Sequence, residues 1–244
     1  MSKGMILVTG ANGGVGQHIV RYFLERGERD IICHYRNERD QIDNTLKEFD
    51  LDPAKHAVQC ELSNEDATIS MAATLQNEFG SINRLINVAG SSTNAMHWKL
   101  GLSDFTKVIN DSLLTSFLCC KAFTPNMRED RYGRIINISS IVGFTGIAGA
   151  SHYAAAKSGI VGFTKSIALE LASRNVTANV LALGYFDSGL INTVPIDMQI
   201  ELKKRIPAGR LGSKSDIGAA IAYLLCDEAS FLTGQVIHLN GGQY

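Results

Sequence analysis

The sequence predicts an α/β fold: a single doubly wound domain in which a seven-stranded parallel sheet is flanked by helices. Three observations carry that prediction. Short Ile- and Val-rich runs recur along the chain, stretches of helical period fill the intervals between them, and several runs are apolar at consecutive positions, as strands covered on both faces must be. The seven expected strands are Met5–Thr9, Asp30–Tyr35, His56–Cys60, Arg84–Val88, Arg134–Ser139, Val176–Ala182 and Gln235–Leu239. Two helices have clear limits. One runs from Val15 to Arg26 and stops at Gly27; another runs from Glu65 to Phe79, with Ser63 or Asn64 as its cap and Gly80 as its stop. No internal repeat or Pro/Gly/Ser-rich linker divides the chain, so residues 1–244 are expected to form one domain. Only 185–206 breaks the alternation. It follows the sixth strand, where an open sheet presents its ligand crevice, and reads either as a substrate lid or as a long surface connection.

The 244 residues are 45% hydrophobic and 19% charged, the composition of a globular protein with a large core. Lys plus Arg (23) almost balances Asp plus Glu (24), which leaves no overall field suited to nucleic acid or an anionic membrane. Recognition must be local. The five cysteines show neither CxxC nor zinc-ligand spacing, and the six histidines form no HxxxH or HExxH pair, so no metal site is expected. The apolar stretch Met5–Val8 is too short for a signal peptide or a membrane span. Reduced core cysteines and a cytoplasmic location follow as expectations.

The run Thr9-Gly10-Ala11-Asn12-Gly13-Gly14-Val15-Gly16 joins the first strand to the first helix. Glycines let the backbone turn tightly and approach a pyrophosphate, and the helix start offers unpaired N–H groups to it. Alone, such a turn is also an ordinary strand-to-helix connection; its place between a clean strand and a clean helix favours a dinucleotide. The second strand ends His34-Tyr35-Arg36-Asn37, with no carboxylate for a ribose 2′-hydroxyl. Arg36 is placed to pair with a 2′-phosphate, favouring NADPH over NADH, unless it is simply a solvated charge.

Tyr153-Ala154-Ala155-Ala156-Lys157 sets a phenol and an ammonium at i and i+4 on one helix face. A free tyrosine titrates near ~10, and a neighbouring Lys⁺ is expected to lower that value until the phenol can exchange a proton at neutral pH. Upstream, Ser139-Ser140 closes a buried-looking strand at the edge where ligands bind, placing a hydroxyl to hold a substrate carbonyl.

Together, the glycine turn, Asn87-Val88-Ala89-Gly90, Ser140, Tyr153 with Lys157, and Gly184 resemble the short-chain dehydrogenase/reductase family over essentially the whole chain. The resemblance implies the Rossmann architecture, and roles by position. Tyr153 would be the acid/base, Ser140 would orient the carbonyl, and Lys157 would tune the tyrosine and hold the nicotinamide ribose. Gly10, Asn12, Gly13, Gly14, Val15 and Gly16 would cradle the pyrophosphate. Asn87, Ala89 and Gly90 would line the adenosine-ribose side, Glu61 and Leu62 would flank the adenine, and Gly184 and Phe186 would bracket the nicotinamide. Two departures stand out: Ser112 replaces the family's catalytic asparagine, and Leu183-Gly184 replaces its Pro-Gly.

Within the family, Ile206–Gly212 and the tail Leu239–Tyr244 are similar to 3-oxoacyl-(acyl-carrier-protein) reductases. That similarity implies reduction of a 3-oxoacyl thioester with NADPH, a homotetramer, and docking of an acidic carrier protein by Arg131 and Arg174 at the rim of the site. The alternatives are an NAD(P)-dependent alcohol, sugar or steroid dehydrogenase and, on the strength of Ser112, a degraded cofactor-binding regulator. Trp98 is expected to pack rather than to wall the substrate site.

Overall fold

All seven expected strands form, and each is laid down parallel to its neighbours in one sheet. The computed structural model describes residues 4–189, 191 and 194–244. Its elements run β1 (Met5–Val8), α1 (Gly14–Glu25), β2 (Ile31–Tyr35), α2 (Asp40–Glu48), the single turn α3 (Pro53–His56), β3 (Ala57–Gln59), α4 (Glu65–Phe79) and β4 (Ile82–Asn87). Next come α5 (Leu102–Ile109), a π-helical segment (Asn110–Leu114), α6 (Thr115–Glu129), β5 (Gly133–Ser140), α7 (Val142–Thr145) and α8 (Ser151–Leu171). The chain closes with β6 (Val176–Leu183), α9 (Ile196–Lys204), α10 (Lys214–Leu225) and β7 (Val236–Leu239).

Alternate residues of each strand point to opposite faces, and both faces are apolar. Ile6, Val8, Ile31, Cys33, Ile136 and Leu181 share a core with Ile19 of α1 and Ile217 of α10. Leu7, Ile32, Leu85, Ile135 and Ala178 share the other with Leu75 of α4, Phe123 of α6 and Ala168 of α8. This two-sided burial is why the strands read as continuous apolar runs and not as alternating ones. Cys119 and Cys120 lie in the second core with no disulfide, and burial pushes the Cys120 thiol up to about 12.

Strand ends differ from the sequence reading by up to two residues. β4 starts two residues early, at Ile82, because Asn83 is a strand residue despite its polarity; next to it the Arg84 guanidinium is buried against Glu28 at 2.8 Å. Asn64 is the cap of α4, its Oδ1 accepting the Ala67 N–H at 2.9 Å. The stretch read as irregular holds α9, which starts directly after Pro195. Leu190, Asn192 and Thr193 of the expected lid lie outside the described residues.

The strand order β3-β2-β1-β4-β5-β6-β7 decides where a ligand can go. The chain builds outward from β1 in one direction and from β4 in the other, so the connections leaving these adjacent strands diverge and open a crevice at their carboxyl ends. Gly10 lines it at φ +62°, and a Cβ there would meet the Ala89 Cα at 2.9 Å. Only glycine lets the two strand ends come this close.

Candidate active site

A cleft of about 540 Å³ runs along the carboxyl ends of the strands. It is lined by Gly10, Asn12, Gly13, Gly14, Val15, Gly16, Arg36, Glu61, Leu62, Ala89, Gly90, Ser140, Tyr153, Lys157, Gly184 and Phe186. These are sixteen of the residues that the sequence singled out. Asn87 and Ser112 are missing from the lining.

Asn87 corrects the sequence expectation. Its side chain is buried in the sheet, where Nδ2 donates to Asn137 Oδ1 at 2.8 Å and approaches Cys120 Sγ at 3.5 Å. Strand alternation turns it away from the cleft, and Val88 and Ala89 form the wall instead. Thr9 Oγ1 fixes that wall by accepting the N–H groups of Val88 at 3.0 Å and Ala89 at 3.2 Å.

The phosphate end is built from backbone. Gly13 caps α1 without a side-chain hydrogen bond, and the first turn carries no acidic residue. By contrast, Asn64 and two acids occupy the start of α4, and a Ser213–Asp216 capping box covers the start of α10. The α1 terminus therefore keeps free N–H donors and an uncompensated positive dipole end facing the cleft. A Cβ on Gly16 would lie 2.3 Å from the Gly10 carbonyl oxygen, so the turn leaves no room for a side chain at this position. A pyrophosphate fits this cradle by charge and by shape.

His34, unnoticed in the sequence, holds the turn in place. It is buried; its Nδ1 accepts the Gly10 N–H at 3.0 Å, and its Nε2 donates to the Cys60 carbonyl at 2.9 Å. The neutral ring thus ties the ends of β1, β2 and β3 together. Burial drives its pKa down from 6.5 to about 4. Across the cleft, Ser188 and Asp187 reach His18 of α1 at 3.3 and 3.6 Å, anchoring the chain after β6 over the turn.

At the other end the two serines of β5 divide. Ser139 Oγ donates to the Lys157 backbone carbonyl at 2.8 Å and braces α8. Ser140 faces the cleft; its Oγ accepts the Val142 N–H at 3.2 Å, and its own O–H is directed to the Tyr153 oxygen. The i, i+4 spacing sets Lys157 Nζ 5.7 Å from the centroid of the Tyr153 ring. That ammonium donates to the Ile138 carbonyl at 3.0 Å.

The ionisation of this pair differs from the expectation. Burial raises the Tyr153 pKa above its ordinary value, with the Ser140 hydrogen bond working the other way. Burial also brings Lys157 down to about 8. Both groups have lost water, and desolvation favours the neutral form of each; the nearby ammonium does not overturn this for the phenol.

Ser112 sits in the π-helical segment, a distortion that recurs at functional sites. It is fully buried, and its Oγ has no hydrogen-bond partner among the described residues. A Cβ on Gly90 would stand 3.0 Å from that Oγ and 3.5 Å from Lys157 Nζ, so the serine and the lysine flank one small space. Its neighbour Asp111 faces the cleft, where Arg36 Nη1 contacts its Oδ1 at 2.9 Å. Arg36 is therefore already paired, where the sequence suggested a free cation.

Arg131 and Arg174 are not at the rim. They are exposed just ahead of β5 and β6, at the amino edge of the sheet, while Ser140 and Gly184 lie at or just past the carboxyl edge. The seven residue steps of β5 separate the two edges by roughly 23 Å. Trp98 also differs from expectation: it is 68% exposed and makes an edge contact with His97 at 5.1 Å.

A twisted parallel sheet, an uncapped glycine turn at its switch point and a Ser-Tyr-Lys group at the far end of one cleft define a nicotinamide-dependent oxidoreductase fold. The chain belongs to the short-chain dehydrogenase/reductase family; residues 10–243 match the family model described as Enoyl-(Acyl carrier protein) reductase. It is 34% identical over 239 residues to the 3-oxoacyl-[acyl-carrier-protein] reductase FabG of Staphylococcus epidermidis, covering 98% of both chains. The protein of that name from Vibrio cholerae is 34% identical over 238 residues, covering 98% of this chain and 96% of its own.

Proposed function

We propose that this protein reduces a 3-oxoacyl thioester, carried on an acyl carrier protein, to the 3-hydroxyacyl thioester with NADPH. The observation that carries the proposal is the meeting of Ser140, Tyr153 and Lys157 in the same cleft as the bare α1 terminus. The full-length similarity to reductases of 3-oxoacyl carrier-protein thioesters supports the substrate class. Arg36 at the end of β2 supports the phosphorylated cofactor, because no carboxylate stands beside it on that strand.

When bound, the dinucleotide supplies a hydride. The protein does the rest. The Ser140 hydroxyl, keeping its proton, donates a hydrogen bond to the C3 carbonyl oxygen and holds that carbon for attack. As the new C–H bond forms and the C=O π bond breaks, Tyr153 gives its proton to the alkoxide. The raised pKa suits this direction, since it keeps the proton on the phenol until charge develops on the substrate oxygen. The Lys157 ammonium then stabilises the phenolate, and the Ser112 hydroxyl holds a water beside it through which the proton is replaced.

One domain acting as a homotetramer in the cytoplasm, with 185–206 as a lid, belongs to the same reading. Five free cysteines, four of them buried and Cys226 half-buried, support a reducing compartment. No helix among the described residues is long and apolar enough to cross a membrane. Carrier docking by Arg131 and Arg174 requires that they serve the cleft of a neighbouring subunit, because their own lies at the opposite edge of the sheet.

The test is NADPH oxidation with acetoacetyl thioesters on a carrier protein and on a small thiol, with NADH and an enoyl thioester as comparisons. Turnover of the 3-oxo substrates and not of the enoyl one is expected; silence with every 3-oxoacyl thioester refutes the reading. Tyr153→Phe should lower kcat by about 10²–10⁴-fold, and wild-type rates in that variant would refute the mechanism.

A further inference from the structure

The cleft contains a charge that the proposed reaction does not use. Asp111 is 7% exposed, and its carboxylate has three partners: Arg36 Nη1 at 2.9 Å, Ser91 Oγ at 2.6 Å and Lys107 Nζ. Burial acts to raise its pKa, but the bonds from Lys107 and Ser91 and the charge of Arg36 outweigh it and hold the group ionised. Arg36 extends from the end of β2 and Asp111 from the segment after α5, so their contact bridges the adenosine side of the crevice. Arg36 has a second acid, Glu61, at 4.0 Å. Its backbone carbonyl is also held, accepting from Gln59 Nε2 at 2.9 Å. The guanidinium that would receive a 2′-phosphate is therefore engaged by a carboxylate fixed in the protein.

We propose that Asp111 sets cofactor selectivity by competing with the 2′-phosphate for Arg36. The π-helical geometry points two successive residues inward, Ser112 toward Lys157 and Asp111 toward Arg36, and so couples this competitor to the wall of the site. A phosphorylated ribose must draw Arg36 away from Asp111 and then tolerate that carboxylate nearby. A ribose with a free 2′-hydroxyl leaves the ion pair intact. Lys107 stays behind to neutralise Asp111 once Arg36 has moved, which keeps the exchange possible. The advantage of NADPH over NADH is then smaller than an unopposed arginine would give, and removing the carboxylate enlarges it.

This inference rests on the NADPH reading, and the test separates the two. Calorimetric binding of adenosine 2′,5′-bisphosphate and of 5′-AMP is measured for wild type, Asp111→Asn, Arg36→Leu and the double variant, with no turnover involved. Asp111→Asn should bind the bisphosphate about five- to tenfold more tightly and 5′-AMP within about twofold, and its effect should vanish in the Arg36→Leu background. Asp111→Thr, which removes the charge but keeps a hydroxyl for Ser91, must give the same gain if the Asn variant melts early. Unchanged or weaker bisphosphate binding overturns the proposal. So does an equal gain without Arg36, which would make Asp111 a source of general repulsion. If instead Arg36→Leu leaves the preference for bisphosphate over 5′-AMP untouched, the NADPH reading itself fails.

Discussion

Acidification should destabilise this fold through one residue at the heart of the cofactor turn. His34 is neutral because its Nδ1 must accept the Gly10 N–H and because its ring is buried, and its pKa falls from 6.5 to about 4. Each factor of ten in proton affinity is worth about 1.4 kcal/mol, so the difference corresponds to about 3 kcal/mol of folding free energy. The folded pKa lies below the unfolded one, so the unfolded chain holds the extra proton between these values. The stabilisation is complete above pH 6.5, declines as pH falls through the window, and is gone below about 4. The assay is urea unfolding of wild type and His34→Gln at a fixed protein concentration, from pH 7.5 down to about 4. At pH 7.5 the variant should be less stable by about 2 kcal/mol, having lost a partner for the Gly10 N–H. On acidification wild type should lose about 3 kcal/mol that the variant keeps, so the two curves should cross and the variant should be the more stable by about 1 kcal/mol near pH 4. His18 and His238 also have lowered pKa values, but they titrate in both proteins and cancel in the difference. Parallel curves over the whole window would show that His34 carries no such linkage.

Lys157 makes a second pH prediction. With its pKa near 8, the ammonium loses its proton as pH rises through that value, and kcat/KM for reduction should fall about tenfold for each pH unit above it. A profile flat to pH 9.5 would contradict this. Ser112→Asn should raise kcat about threefold or widen the pH range if the serine is a poor water holder, and an identical profile would show that the position is not limiting. Gly16→Ala drives a methyl group against the Gly10 carbonyl oxygen, at 2.3 Å from an unmoved Cβ, and against the Ala11 Cα. Those neighbours are backbone, so a loss of about 2–3 kcal/mol in stability and at least tenfold in NADPH affinity is expected from melting and fluorescence titration. Wild-type values in both would mean that the turn is softer than its packing implies.

Local signals were legible for local reasons. β1 is apolar at every position, and β5 and β6 keep enough Ile, Val, Leu and Ala on both faces to read as strands covered by helices on each side. The Tyr153–Lys157 spacing follows from helix geometry alone, and the Gly10–Gly16 turn from the space that a side chain would need. The errors came where a residue's direction or neighbours depend on distant chain. The family resemblance implies Asn87 as a cleft residue, yet the pleat turns its amide away from the cleft toward Asn137. The similarity to carrier-protein reductases implies Arg131 and Arg174 at the rim by position alone, and nothing in a linear sequence says that the edge before a parallel strand lies a full strand length from the edge after it.

The sequence by itself determined the parallel α/β sheet, the phosphate turn and the Ser140, Tyr153 and Lys157 set, because periodicity, steric exclusion and i, i+4 spacing are properties of neighbouring residues. The tertiary structure alone decided the ionisation and the partners. It set Tyr153, half-buried in the cleft wall, beside the buried Lys157, so that desolvation raised one pKa and lowered the other. It also brought His34 under Gly10, and Asp111 onto Arg36 across 75 residues of chain. Charges respond to whatever folding places around them, and that environment exists only once the sheet has closed its crevice.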